Sequence, residues 1–136
     1  MPRWTLSLLP EEFAICRLPG TASLPSWALG HDFFAIVRTP EELSLVCPAW
    51  AVPANTRAVR GWRGLKVHGP LDFDQIGVLA ALSGILAQAR VSVFALSTYD
   101  TDYLFLRQRD VARAIAALRA AGHRVHEAAG GPVHQK

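Results

Sequence analysis

Two hydrophobic periods alternate through the second half of the chain in an order that few folds accommodate. In residues 75–89, Ile76, Leu79, Leu82, Ile85, Leu86 and Ala89 recur at steps of three and four, which places them on one face of a helix, with Asp74 at the N-cap position. A second helix is expected from Asp110 to Ala121, with Val111, Ala114, Ile115 and Leu118 on one face, Arg113 and Arg119 towards water, and Gly122 as its stop. Between the helices, VSVFALST (91–98) and DYLFLRQ (102–108) have the composition of strands joined by the polar turn Tyr99, Asp100 and Thr101. GWRGLKVHG (61–69) precedes the first helix as a strand, and HRVHE (123–127) follows the second as a short closing one. The order β, α, β, β, α, β predicts an α+β, ferredoxin-like unit.

The first half repeats this pattern in reduced form. FFAIVRTPEELSLV (33–46) aligns with VFALSTYDTDYLFL (93–106) at an offset of 60 residues, Phe34 and Ala35 matching Phe94 and Ala95. EFAICRL (12–18) supplies the preceding strand. The Pro- and Gly-rich segments 19–31 and 48–60 stand where helices belong, so those helices are expected to be short or lost. Two ferredoxin-like (βαββαβ) units follow, the first with reduced helices: an N-terminal half over 1–60, a C-terminal half over 61–128 and a flexible tail over 129–136.

At 51% hydrophobic and 18% charged, the chain has the composition of a folded domain and not of a disordered one. Val91, Val93 and Ala95 fall on one face of their strand and Phe94 and Leu96 on the other. Helices cover one face of such a sheet, so the apolar surplus points to a partner, and a homodimer is expected. The net charge of +3 is spread over both halves without a basic tail, which argues against nucleic acid. The run Arg57, Arg60, Arg63 and Lys66 around Trp62 reads as a solvated edge or a contact for an acidic partner rather than an RNA surface. No secretory leader or membrane-length apolar stretch is evident, so a cytoplasmic protein without membrane contact is expected. Cys16 and Cys47 show neither a metal-ligand spacing nor a disulfide framework and read as buried thiols. His123 and His126 read as solvent-exposed side chains that share no strand face.

Candidate chemistry concentrates at one sheet edge. Strands 61–69 and 91–98 run parallel in this topology, so the loops at their ends converge. One loop brings Asp72 and Asp74 with Gly77 at the helix start; the other brings Ser97, Thr98, Asp100, Thr101 and Asp102. Helix amides attract an anion and the carboxylates attract a cation. A zwitterionic α-amino acid satisfies both, whereas four aspartates would repel a phosphate. Local capping and turn roles account for the same aspartates without a ligand. A metal-dependent site using Asp72, Asp74, Asp100 and Asp102 is a further alternative. No nucleophile with a matching base appears, so no catalysis is expected.

LPEEFAICRLP (9–19), FFAIVRTPEELSLVCP (33–48), GWRGLKVHGPLDF (61–73) and FALSTYDTDYLFL (94–106) resemble, in order and spacing, the small bacterial tandem ACT proteins related to the CASTOR-type arginine sensors. DQIGVL (74–79) looks like the ACT loop D-x-P-G-x-L, with Asp74, Gly77 and Leu79 matching and Ile76 in place of proline. The resemblance implies two ACT-type units, no catalysis and no cofactor. It also implies a free amino acid bound at Leu71, Asp72, Phe73, Asp74, Gly77, Ser97, Thr98, Asp100, Thr101 and Asp102. On this reading the protein is an amino-acid sensor acting through itself or a regulated partner protein; a purely structural interaction module is the alternative.

Overall fold

The computed structural model describes residues 3–69 and 77–127, which divide into two units. One unit is Glu11–Trp62; the other runs from Arg63 onward and also takes the residues before Glu11. Strands β1 (Thr5–Pro19) and β4 (Ala58–Val67) therefore each pass from one unit into the other. This division differs from a cut at residue 60. The first part of β1 pairs in parallel with β7 (Arg124–His126), Thr5 facing Arg124, and buries Leu6 and Leu8 in the core of the C-terminal unit.

In the N-terminal unit, β1 pairs antiparallel with β3 (Glu42–Pro48) from Phe13↔Pro48 to Pro19↔Glu42, and β2 (Ala35–Arg38) pairs antiparallel with β3. Alternation sends Ala14, Cys16, Leu43, Leu45 and Cys47 to one face, where they form a buried core with Ala28, Ala49 and Val52. Short 3-10 turns, Ser26–Ala28 and Ala49–Ala51, occupy the two helix positions, as the Pro- and Gly-rich segments predict. Gly20, just past β1, is required by close approach: a Cβ there would lie 2.6 Å from the Pro40 carbonyl oxygen.

The C-terminal unit has the strand order β1-β4-β6-β5, with β7 beside β1. β5 (Val93–Ser97) and β6 (Asp102–Arg107) form the expected hairpin, from Val93↔Leu106 to Ser97↔Asp102. Helix α1 is Val78–Gln88, shorter than 75–89 and with Gly77 rather than Asp74 at its N-cap; Gly77 has φ +86°, a left-handed conformation that L side chains resist. Its buried stripe is Val78, Leu82 and Leu86, and Leu79 lies at the border of that stripe, 37% exposed. Helix α2, Val111–Ala120, buries Ala114, Ile115 and Leu118 as the periodicity requires. Arg113 and Arg119 are exposed, as expected, and also make local bonds. Arg113 binds Asp110 at 2.7 Å and the Ala89 and Arg90 carbonyls; Arg119 binds the Val125 carbonyl and Glu127.

Candidate functional site

The β5–β6 turn is held by its threonines. The Thr98 amide donates to the Thr101 carbonyl at 2.8 Å, and the Thr101 amide donates to Thr98 Oγ1 at 3.2 Å. Thr101, almost fully buried, donates its hydroxyl to the Val67 carbonyl and so ties the turn to the end of β4. Sequence reasoning expected these two strand ends to converge, and Thr101 is the side chain that joins them.

Lys66, Gly69, Thr98, Asp100, Thr101 and Tyr103 line a cavity of about 330 Å³ at this junction. Leu65 and Val67 are buried in the core, so alternation turns Lys66 to the opposite face, as Leu104 does for Tyr103. Neither the Lys66 ammonium nor the Asp100 carboxylate has a partner among the described residues. The site thus offers one cation and one anion around a single space, while the Thr98 hydroxyl is occupied within the turn, donating to the Thr101 carbonyl at 3.2 Å.

Of the residues expected from sequence, Thr98, Asp100 and Thr101 line this cavity. Ser97 and Asp102 instead pair across the hairpin, Ser97 Oγ donating to Asp102 Oδ1 at 2.7 Å. Gly77 opens α1. Leu71, Asp72, Phe73 and Asp74 lie outside the described residues. Lys66 and Tyr103 were missed, although the alternation of GWRGLKVHG already places Lys66 opposite the core. Among the described residues there is no cluster of three or more histidine, cysteine, aspartate or glutamate side chains able to hold a metal.

The basic run is not a uniform solvated edge. Arg60 donates to the carbonyls of Ala49, Val52 and Pro53, and Arg63 to the Leu9 carbonyl, so both fasten backbone. His123 is buried, not exposed: it stacks on Trp4 with ring centroids 5.3 Å apart, and its Nδ1 accepts the Trp4 amide. Burial, with the nearby Arg3 charge adding to it, lowers its pKa from the usual 6.5. Cys16 and Cys47 are free and buried. The hydrogen bond from the Cys47 thiol to Cys16, reinforced by burial, holds Cys47 far above the ordinary thiol range; the same bond lowers Cys16.

The sequence profile of the ACT domain matches residues 57–120, and a profile of an N-terminal domain matches 11–55. The cytosolic arginine sensor for mTORC1 subunit 1 of Bos taurus is 32% identical over 113 residues, covering 81% of this chain and 34% of that protein. The chain thus spans about a third of the curated relative it matches. An Agobacterium tumefaciens protein of known crystal structure superposes with a TM-score of 0.91 at 33% identity, covering 98% of this chain and all of that one. Clostridium acetobutylicum aspartate kinase shares the fold with a TM-score of 0.66 at 11% identity, over 85% of this chain and 33% of the kinase.

Proposed function

The chain belongs to the ACT-domain family, and from that premise we propose that it is a non-catalytic regulatory module that binds a free amino acid. The observation that carries this reading is the pair Lys66 and Asp100, opposite charges without partners among the described residues on one cavity of about 330 Å³. A free amino acid answers both: its carboxylate meets Lys66 and its ammonium meets Asp100. Lys66 thereby supplies a side-chain cation for the role expected of helix amides alone. Leu71–Gly77 is the remaining part of the expected site. The Bos taurus relative is an arginine sensor by name, which supports an amino acid as the ligand class here.

The proposal extends to a cytoplasmic homodimer that reports ligand occupancy to a regulated partner protein. Exposed Val37 and Phe34 favour self-association, and no helix among the described residues is long and apolar enough to cross a membrane. Thermal-shift screening against the twenty amino acids tests the ligand. A ligand at 100 times its Kd stabilises by about 2.7 kcal/mol. Lys66→Met and Asp100→Asn should each weaken binding by about tenfold or more, the loss of a charged hydrogen bond. If no amino acid stabilises the chain at millimolar concentration, the sensor reading fails.

A further inference from the structure

A second cavity, of about 460 Å³, opens in the N-terminal unit, bordered by Cys16 and Ala58 and by residues of the sheet face opposite its core, and none of its residues belongs to the site above. Strand pairing builds it. Arg17 on β1 faces Ser44 on β3, and Pro19 faces Glu42, so alternation places Ile15, Arg17, Glu42 and Ser44 on one face, opposite buried Cys16, Leu43 and Leu45. On the other side of β1, the Arg17 amide donates to the Arg57 carbonyl at 3.0 Å, and Val59, 47% exposed, follows two residues later. Two arginines, Arg17 on β1 and Arg57 in the residue just before β4, therefore border the same cavity.

Their charges are not balanced. Glu42 Oε1 accepts from Ser44 Oγ at 3.0 Å and lies 3.7 Å from Arg17 Nε, so this carboxylate is committed to Arg17. The Arg57 guanidinium has no partner among the described residues. Like charges side by side across strands are unfavourable, and an anion placed between them relieves the repulsion. Ile15 and Val59 add an apolar floor that a bare inorganic anion would leave unused, and the volume is within the range of small-molecule sites. The arrangement also parallels the other unit. There the first strand supplies Lys66 and the third strand Tyr103; here the first strand supplies Arg17 and the third strand Glu42 and Ser44.

We infer that this cavity binds a small aliphatic carboxylate, its carboxylate held by Arg57 with Arg17 and its hydrocarbon part lying on Ile15 and Val59. Binding here is independent of the amino-acid reading, since the residues are different. The test is an amide-resolved NMR titration of the full chain with 3-methylbutanoate, with inorganic phosphate as the comparison. Saturable shifts are expected at Ile15, Arg17, Ser44 and Val59, with the amides of Thr98 to Thr101 unmoved. Arg57→Gln should weaken binding by about tenfold, the loss of a charge-assisted hydrogen bond. Glu42→Gln removes the negative charge beside Arg17, whose guanidinium then keeps only its 3.1 Å bond to the Glu41 carbonyl, and should tighten binding. Shifts that never saturate, shifts centred on Thr98 to Thr101, equal binding of phosphate, or an Arg57→Gln chain that binds as tightly as the unaltered one would each overturn the inference.

Discussion

The two units solve the same problem, covering one apolar face of a small sheet, with different materials. In the C-terminal unit the cover is α1 and α2, and the strand residues beneath are large: Leu65, Val67, Leu104 and Leu106. In the N-terminal unit the cover includes two three-residue turns, and the strand positions beneath mix Leu43 and Leu45 with Ala14, Cys16 and Cys47, met by Ala28 and Ala49 from the turns. The turns contribute alanines to the interior where the helices contribute Leu82, Leu86 and Leu118, so the size of the covering side chain follows the kind of cover. Interior packing tolerates neither voids nor excess volume. The helix is therefore the dispensable part of this unit, and a matched apolar interior is the indispensable part.

If that contrast is right, substitutions in opposite directions should injure the two units. Leu82→Ala leaves a cavity beneath α1, where Leu82 is fully buried, and should cost about 3 kcal/mol in urea unfolding. Ala28→Leu adds volume where the N-terminal cover has none to give, and should cost about 2 kcal/mol by the same measurement. An Ala28→Leu chain as stable as the original would show that the turns are loosely packed and would break the comparison.

A finer contrast lies within the C-terminal unit, between the two helix ends. Both close in the same way: Val91 and Arg90 amides bind the Leu86 and Ala87 carbonyls after α1, and His123 and Gly122 amides bind Leu118 and Arg119 after α2. The residue forced into the left-handed region is Gly122 at φ +98° in one and Arg90 at φ +62° in the other. Arg90→Gly should therefore stabilise the protein by about 1 kcal/mol, and Gly122→Ala should destabilise it by a similar amount, both read from urea midpoints.

The smallest effect concerns His123, which ties the N-terminal segment to the end of α2 through Trp4. Its folded pKa is below the unfolded value of 6.5, so near pH 8 both states hold it neutral and it adds no pH dependence. As pH falls through 6.5 the unfolded chain takes up the proton first, and folded stability declines until the folded pKa is passed. Unfolding free energies at pH 7.5 and 5.5 should show this decline, and His123→Gln should reduce it.

The sequence by itself determined the secondary structure and its order. The periods of 3.6 and 2 in 75–121, the offset between 33–46 and 93–106, and the Pro- and Gly-rich gaps in place of two helices are local features, and each appears in the structure at nearly its expected place. The convergence of β4 with the β5–β6 turn was also legible, because strand direction follows from the order of elements. Tertiary structure decided what the local pattern leaves undetermined. Whether a carboxylate pairs within its own hairpin, as Asp102 does, or stands at a cavity, as Asp100 does, depends on a rotamer and a neighbour that no periodicity encodes. The four cations of 57–66 look alike in sequence. Their fates diverge because backbone carbonyls lie within reach of Arg60 and Arg63, while Arg57 and Lys66 border cavities built from strands distant in the chain. His123 is buried for the same kind of reason: Trp4, at the far end of the chain, is brought against it by the parallel pairing of β1 with β7.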